Sequence, residues 1–253
     1  MISKLVLSFI LFLLIHINTL GKENPQIPAT IVPLVEYIEG RGIEIRTLLE
    51  DPRFELYGNI ATRFRNAAEI RIDNLEDYKR RINYQGKLDG IKPFMETYAE
   101  ALEKAEAEYD IPKYVIAAII GIESDFGRVT GRYNPFNVYL SMFDEGYRAP
   151  FAQAQLEELL IFANRNNLDV FELNSSYAGA MAYAQFIPYS LNRWFVGSEL
   201  FDMENNIYSV ANYLAHFKRR SGSVEQAVFR YNPSRLYRDA VMSLATDAEK
   251  LFQ

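Results

Sequence analysis

The stretch at 114–122 (Tyr-Val-Ile-Ala-Ala-Ile-Ile-Gly-Ile) is apolar on every side. A helix of this composition has no face to offer water, so it must sit at the centre of a core with other elements packed around it. A 253-residue chain that is 49% hydrophobic and 14% aromatic can build such a core, and disorder is excluded. Alternating strand patterns are scarce. The fold class that follows is mainly α, organised around one buried helix.

Other helices can be placed by their spacing. Phe94, Tyr98, Ala101, Leu102, Ala105 and Tyr109 fall on one stripe, with Glu and Lys opposite. Asp110-Ile111-Pro112 predicts a helix start with proline in the first turn. Further helices are expected at 151–164, at 207–220 and at 224–231, the last opened by Ser223 with Gln226 in capping-box spacing. A terminal helix is expected at 235–252. The prolines at 25, 28 and 33 mark 22–33 as a linker. Beyond it lie a small N-terminal helical part, 34–105, and a core, 106–253.

The first segment carries a separate signal. Lys4 precedes an apolar run from Leu5 to Ile15, and Gly21 supplies a small residue after it, the pattern of a secretory signal over 1–21. As a helix the run would span about 16 Å, against a hydrocarbon core of roughly 30 Å. The alternative is a retained anchor, since Ile17 and Leu20 lengthen the run. Processing would make a chain of net charge −6 one unit more negative. That acidity argues against nucleic acid, whose phosphates require clustered Lys and Arg. The chain has no cysteine, so neither disulfides nor N-terminal cysteine lipidation is available. With no cysteine and only His16 and His216, no metal centre or cofactor is expected. A Ser-His relay is likewise unsupported.

Three stretches carry candidate chemistry. In Gly121-Ile122-Glu123-Ser124-Asp125-Phe126-Gly127 a carboxylate ends the most apolar helix, and Gly127 stands where a helix exit is expected. Apolar surroundings and the negative helix end both oppose ionisation of Glu123, as a general acid requires. A glutamate turned to water at a helix end is the plainer reading of the same position. The run from Ser175 to Phe186 is crowded with Gly and Ala, which permits close backbone approach, and Ser176, Tyr183 and Gln185 are the polar groups able to work there. Tight helix packing would explain that run equally well. The third stretch is Arg230-Tyr231-Asn232-Pro233-Ser234, where Asn before Pro marks a helix boundary.

In this order, Gly-Ile-Glu-Ser, Ser-Tyr-Ala-Gly-Ala-Met and Arg-Tyr-Asn-x-Ser, the stretches resemble the lytic transglycosylase B family. The resemblance implies a lysozyme-like helical domain with a small N-terminal helical extension. It implies a bacterial periplasmic enzyme, expected as a monomer, with peptidoglycan glycan strands as its partner. It assigns Glu123 as the catalytic acid/base and Ser176 as the serine that orients it. Gln185, Tyr213, Tyr231, Asn232 and Tyr237 match groove-lining positions, and Tyr78 matches a tyrosine from the N-terminal part. Arg148 matches one of two arginines that meet substrate carboxylates; the other position is Tyr147 here. Some members carry an acidic calcium loop, but 195–202 is too short and too poor in oxygen ligands for one. The implied reaction cleaves the β-1,4 bond after N-acetylmuramic acid and leaves 1,6-anhydro ends. The alternatives are a muramidase using Asp125 as second carboxylate, or a silent glycan-binding protein.

Overall fold

The computed structural model describes residues 27–66 and 72–253. Among them the architecture is helical, with only isolated antiparallel bridges linking Tyr133, Ser175, Met181 and Phe186. The N-terminal helices are α1 (Val32–Gly40), α2 (Arg46–Leu49), α3 (Ile60–Arg65), α4 (Leu75–Arg81), α5 (Tyr84–Thr97) and α6 (Ala99–Tyr109). They are followed by α7 (Lys113–Ser124), α8 (Pro135–Asp144), α9 (Ala149–Arg165) and α10 (Pro188–Trp194). The chain closes with α11 (Met203–Ser221), α12 (Val224–Tyr231) and α13 (Arg235–Lys250).

The all-apolar helix is the axis of the molecule. Residues Val115 to Gly121 of α7 are buried, and α5, α6, α11 and α13 pack around it. Removing the side chains of Val115, Ile116, Ile119 and Ile120 from water contributes roughly 6–12 kcal/mol. One continuous set of buried side chains runs from Ile31 in the N-terminal segment to Ala248 in α13.

Several boundaries differ from the periodicity. The stripe over 94–109 is divided at Tyr98 into α5 and α6, where Thr97 Oγ1 donates to the Pro93 carbonyl at 2.8 Å. Such back-bonding competes with the helical ladder and bends it. Helix α7 starts at Lys113, so Pro112 is its N-cap rather than a first-turn residue. The missing side-chain cap is supplied from α6, where Glu106 Oε1 accepts the Lys113 N–H at 3.0 Å. Ser223 does accept from Gln226 N, and it opens α12 as its spacing predicts. Ile31 is fully buried and α1 begins at Val32, both within the 22–33 stretch. The 105/106 division falls inside α6. Residues 1–21 lie outside the described residues.

The exit of α7 places the candidate site. Asp125 and Phe126 adopt left-handed backbone (φ 53° and 58°), and Gly127 follows at 87°. Non-glycine residues pay about 1–2 kcal/mol each for this conformation. Their compensation is visible. Ser124 Oγ accepts the Gly127 N–H at 3.1 Å, and the Phe126 ring fills a slot between Gly90 of α5 and Gly121 of α7. A methyl group on either glycine would lie 2.7 Å from that ring, and Phe94 closes the slot with its centroid at 5.1 Å.

The slot makes a prediction of opposite signs. Gly40→Ala at the end of α1, where a new methyl meets nothing within 4 Å, is expected to be neutral or stabilising. Gly121→Ala gains the same helix propensity yet overpacks Phe126, for a net loss of about 1–2 kcal/mol. Urea denaturation of both variants checks the contrast, and equal effects would remove the slot from the account.

Candidate active site

Glu123 stands in the last turn of α7, half-buried, at the edge of a groove of about 610 Å³. Arg128, Arg132, Tyr133, Ser176, Tyr177 and Gln185 share that groove with it. Among the lining residues Glu123 is the one carboxylate. Tyr237, at the start of α13, donates its hydroxyl to Glu123 Oε1 at 2.6 Å. The phenol is held well above its ordinary range, first by burial and then by the charge of Glu123, so it remains a donor. The bond fixes the orientation of the carboxylate.

Tyr231 lies within electrostatic reach of the same carboxylate, and its hydroxyl donates to the Ala184 carbonyl at 2.5 Å. Tyr78 is buried on α4 beside the Tyr237 phenol.

The small-residue run forms the opposite wall. Ser176 Oγ accepts the N–H groups of Ala178 and Ala180, both at 3.3 Å, and its backbone pairs with Ala180 at 2.8 Å. A side chain at Gly131 would collide with the Ser175–Ser176 peptide, 2.1 Å from the Ser175 oxygen. Gly179 is equally confined, lying over the buried Tyr139, whose hydroxyl donates to the Gly179 carbonyl at 2.9 Å. These two glycines are the points where close approach is required. Met181 and Phe186 exchange backbone hydrogen bonds at 2.9 Å, closing a loop that carries Gln185 into the groove.

Gln185 also lines a second cavity of about 330 Å³, walled by Phe186, Tyr213, Trp194 and Tyr231. Tyr213 is nearly buried there, and its hydroxyl donates to the Arg230 carbonyl at 2.7 Å.

Five expected residues line neither cavity: Tyr78 and Tyr237, placed above, and Tyr183, Asn232 and Arg148. Tyr183 turns behind the wall, against Phe201 and Gly127. Asn232 ends α12 with its backbone, and the neighbouring Pro233 lines the second cavity in its place. Arg148 lies over the Phe151 ring at 4.1 Å as the N-cap of α9.

Other residues were not evident from sequence. Lys87, nearly buried on α5, and Arg128 both pair with Asp125. The Arg128 guanidinium, aided by Lys87, holds the Asp125 carboxyl at about 2. Asn206 is fully buried and accepts the Ala184 N–H at 3.0 Å, so it fixes the Gln185 loop from beneath. A lysine thirty-eight positions before its partner and an asparagine inside a helix leave no local pattern to read. Among the described residues no three His, Asp or Glu side chains gather as metal ligands.

A family model described as the transglycosylase SLT domain matches residues 41–226. The chain belongs to this family. The matched region contains Glu123, Ser176 and Gln185 and stops before Tyr231 and Tyr237. Over 127 residues the chain is 35% identical to membrane-bound lytic murein transglycosylase B of Escherichia coli (strain K12). That alignment covers 47% of this chain and spans about a third, 35%, of the relative's length. The fold is similar to that of soluble lytic transglycosylase SltB1 from Pseudomonas aeruginosa, with a TM-score of 0.78 at 22% identity, covering 87% of this chain and 99% of that one. It is also similar to SltB3 from the same organism, solved in complex with NAG-NAM-pentapeptide, with a TM-score of 0.73 at 19% identity over 86% and 78% of the two chains. The family's mainly helical, lysozyme-like fold is thus the fold of this chain.

The clamp on Asp125 sets an acid-stability test. A carboxyl held at about 2 contributes stability that is complete above its unfolded value near 3.9 and is lost as pH falls through 2. Asp125→Asn is expected to cost about 2 kcal/mol at pH 7, because Lys87 loses its partner, and almost nothing at pH 2. Chemical denaturation at the two pH values measures the gap, and a gap independent of pH would show that the clamp does not contribute in this way.

Proposed function

We propose that the chain is a peptidoglycan lytic transglycosylase with Glu123 as its single acid/base. The observation that carries this reading is the isolation of Glu123: among the described residues lining the groove it is the only carboxylate, and Tyr237 orients it. Family membership supports the reaction class, and the muropeptide held by SltB3 supports the substrate class.

In the reaction, Glu123 gives its proton to the glycosidic oxygen as the bond from C1 of N-acetylmuramic acid breaks. The substrate's 2-acetamido oxygen stabilises C1, so no enzyme carboxylate is needed there. Glu123, now ionised, takes the proton of the muramoyl 6-hydroxyl, whose oxygen closes onto C1 and releases the acetamido group. The acid is regenerated and no water is consumed. Tyr237 suits both steps because it can donate to the carboxylate throughout. Ser176 borders the same groove, and its side chain and backbone wind the turn that faces Glu123. Hydrolysis would need Asp125 as a second carboxylate, but that group is held between Lys87 and Arg128.

Two experiments follow. Glu123→Gln is expected to lower the release of anhydromuropeptides from sacculi by about 10²–10⁴-fold with normal folding, whereas Asp125→Asn keeps turnover. Mass spectrometry of the products decides: reducing ends in place of anhydro ends mean hydrolysis, and an active Glu123→Gln enzyme ends the assignment. The segment at 1–21 further supports export to the periplasm, so native protein should begin near Lys22 on N-terminal sequencing. Intact Met1 in a membrane fraction would mean a retained anchor. No described helix is long and apolar enough to cross a membrane.

A further inference from the structure

The segment between α10 and α11 has no regular structure of its own, and α11 holds it with side chains. Asn212 Nδ2 donates to the Trp194 carbonyl at 3.1 Å, and Ser209 Oγ accepts the Val196 N–H at 2.8 Å. Asn205 Nδ2 donates to the Glu199 carbonyl at 3.2 Å. Asn206 Nδ2 reaches two carbonyls, those of Leu200 at 2.8 Å and Asp202 at 2.6 Å. Positions 205, 209 and 212 share one helix face, so the segment lies along a polar strip of α11. The fit is close: a methyl on Gly197 would stand 2.4 Å from Asn205 Cγ.

Asn206 passes this hold on to the groove. It is fully buried, and its Oδ1 accepts the Ala184 N–H at 3.0 Å. Among the described residues no other side chain bonds to both the segment and the 182–186 loop. That loop needs a hold. Ala182 and Gln185 adopt left-handed backbone (φ 62° and 49°), a conformation that persists only where the surroundings over-determine it. Ala184 lies between them, its N–H fixed by Asn206 and its carbonyl by Tyr231.

We infer that Asn206 is a positioning residue for the reaction, holding through Ala184 the wall that carries Gln185 into the groove of Glu123. The inference rests on the transglycosylase reading and adds to it a residue that lines neither cavity. A wall displaced by less than an ångström still meets the strand but spoils the approach of the reacting groups, so the effect falls on kcat more than on KM.

The experiment uses three variants of the full chain. Asn206→Leu removes every side-chain bond at nearly constant volume. Asn206→Asp keeps an acceptor for the Ala184 N–H, and Asn205→Ala loosens the segment without touching Ala184. Each is assayed on soluble glycan strands at a temperature where denaturation curves show it folded. Asn206→Leu is expected to lower kcat for anhydro-product release about 10–100-fold with KM little changed. Asn206→Asp recovers most of that kcat, and Asn205→Ala keeps all of it. In the unmodified enzyme the Ala184 amide should exchange with solvent as slowly as the amides of α11. Exchange at the rate of an open loop overturns the inference without any variant. A folded Asn206→Leu enzyme of parental kcat, or an equal loss in Asn205→Ala, overturns it too and leaves the transglycosylase reading standing. An unmodified enzyme that releases no product overturns both.

Discussion

The structure depends on how one apolar helix is made to stop. Helix α7 delivers Glu123 to a groove only because the chain leaves the helix at once, through two left-handed non-glycine residues and a glycine. That exit is uphill by itself. It is held by an ion pair with a nearly buried lysine on α5 and by a phenylalanine wedged between two glycines. The same α5 provides both restraints, so strain at the site is offset by packing one helix away. Asp125, which a reader hunting for paired carboxylates would choose as the second acid, serves this purpose.

Electrostatics at the site follow from the same economy. A buried phenol donates to Glu123, a second, half-buried phenol donates to the loop opposite, and that of Tyr78 lies within electrostatic reach of the first. The excess of tyrosine over tryptophan in the composition is therefore partly a hydrogen-bonding inventory. Tyrosine brings its own apolar body to the core and a donor to the rim, and it does so without adding charge beside the one carboxylate.

Much of the fold could be read from sequence, since α7, α9, α11, α12 and α13 each carry a complete apolar stripe or a capping residue. The break at Tyr98 and the start at Lys113 could not, because each depends on a side chain bonding to backbone outside the local pattern. Of the groove-lining residues, Glu123, Ser176 and Gln185 stand in stretches that the sequence singles out, although their roles there came from the resemblance. Tyr183 shares the small-residue run yet lines neither cavity, since a loop with left-handed residues at 182 and 185 does not preserve a simple alternation. Lys87 and Asn206 act across the fold and give no sign in one dimension.

Helices α12 and α13 between them bring three polar partners to the site. Until α12 and α13 dock, the Ala184 carbonyl lacks the Tyr231 hydroxyl, Tyr213 lacks the Arg230 carbonyl, and Glu123 lacks Tyr237. Docking of α12 and α13 therefore sets polar contacts in both cavities, and loosening these two helices alone would release the Tyr237 contact to Glu123 and the Tyr231 contact to the Gln185 loop together.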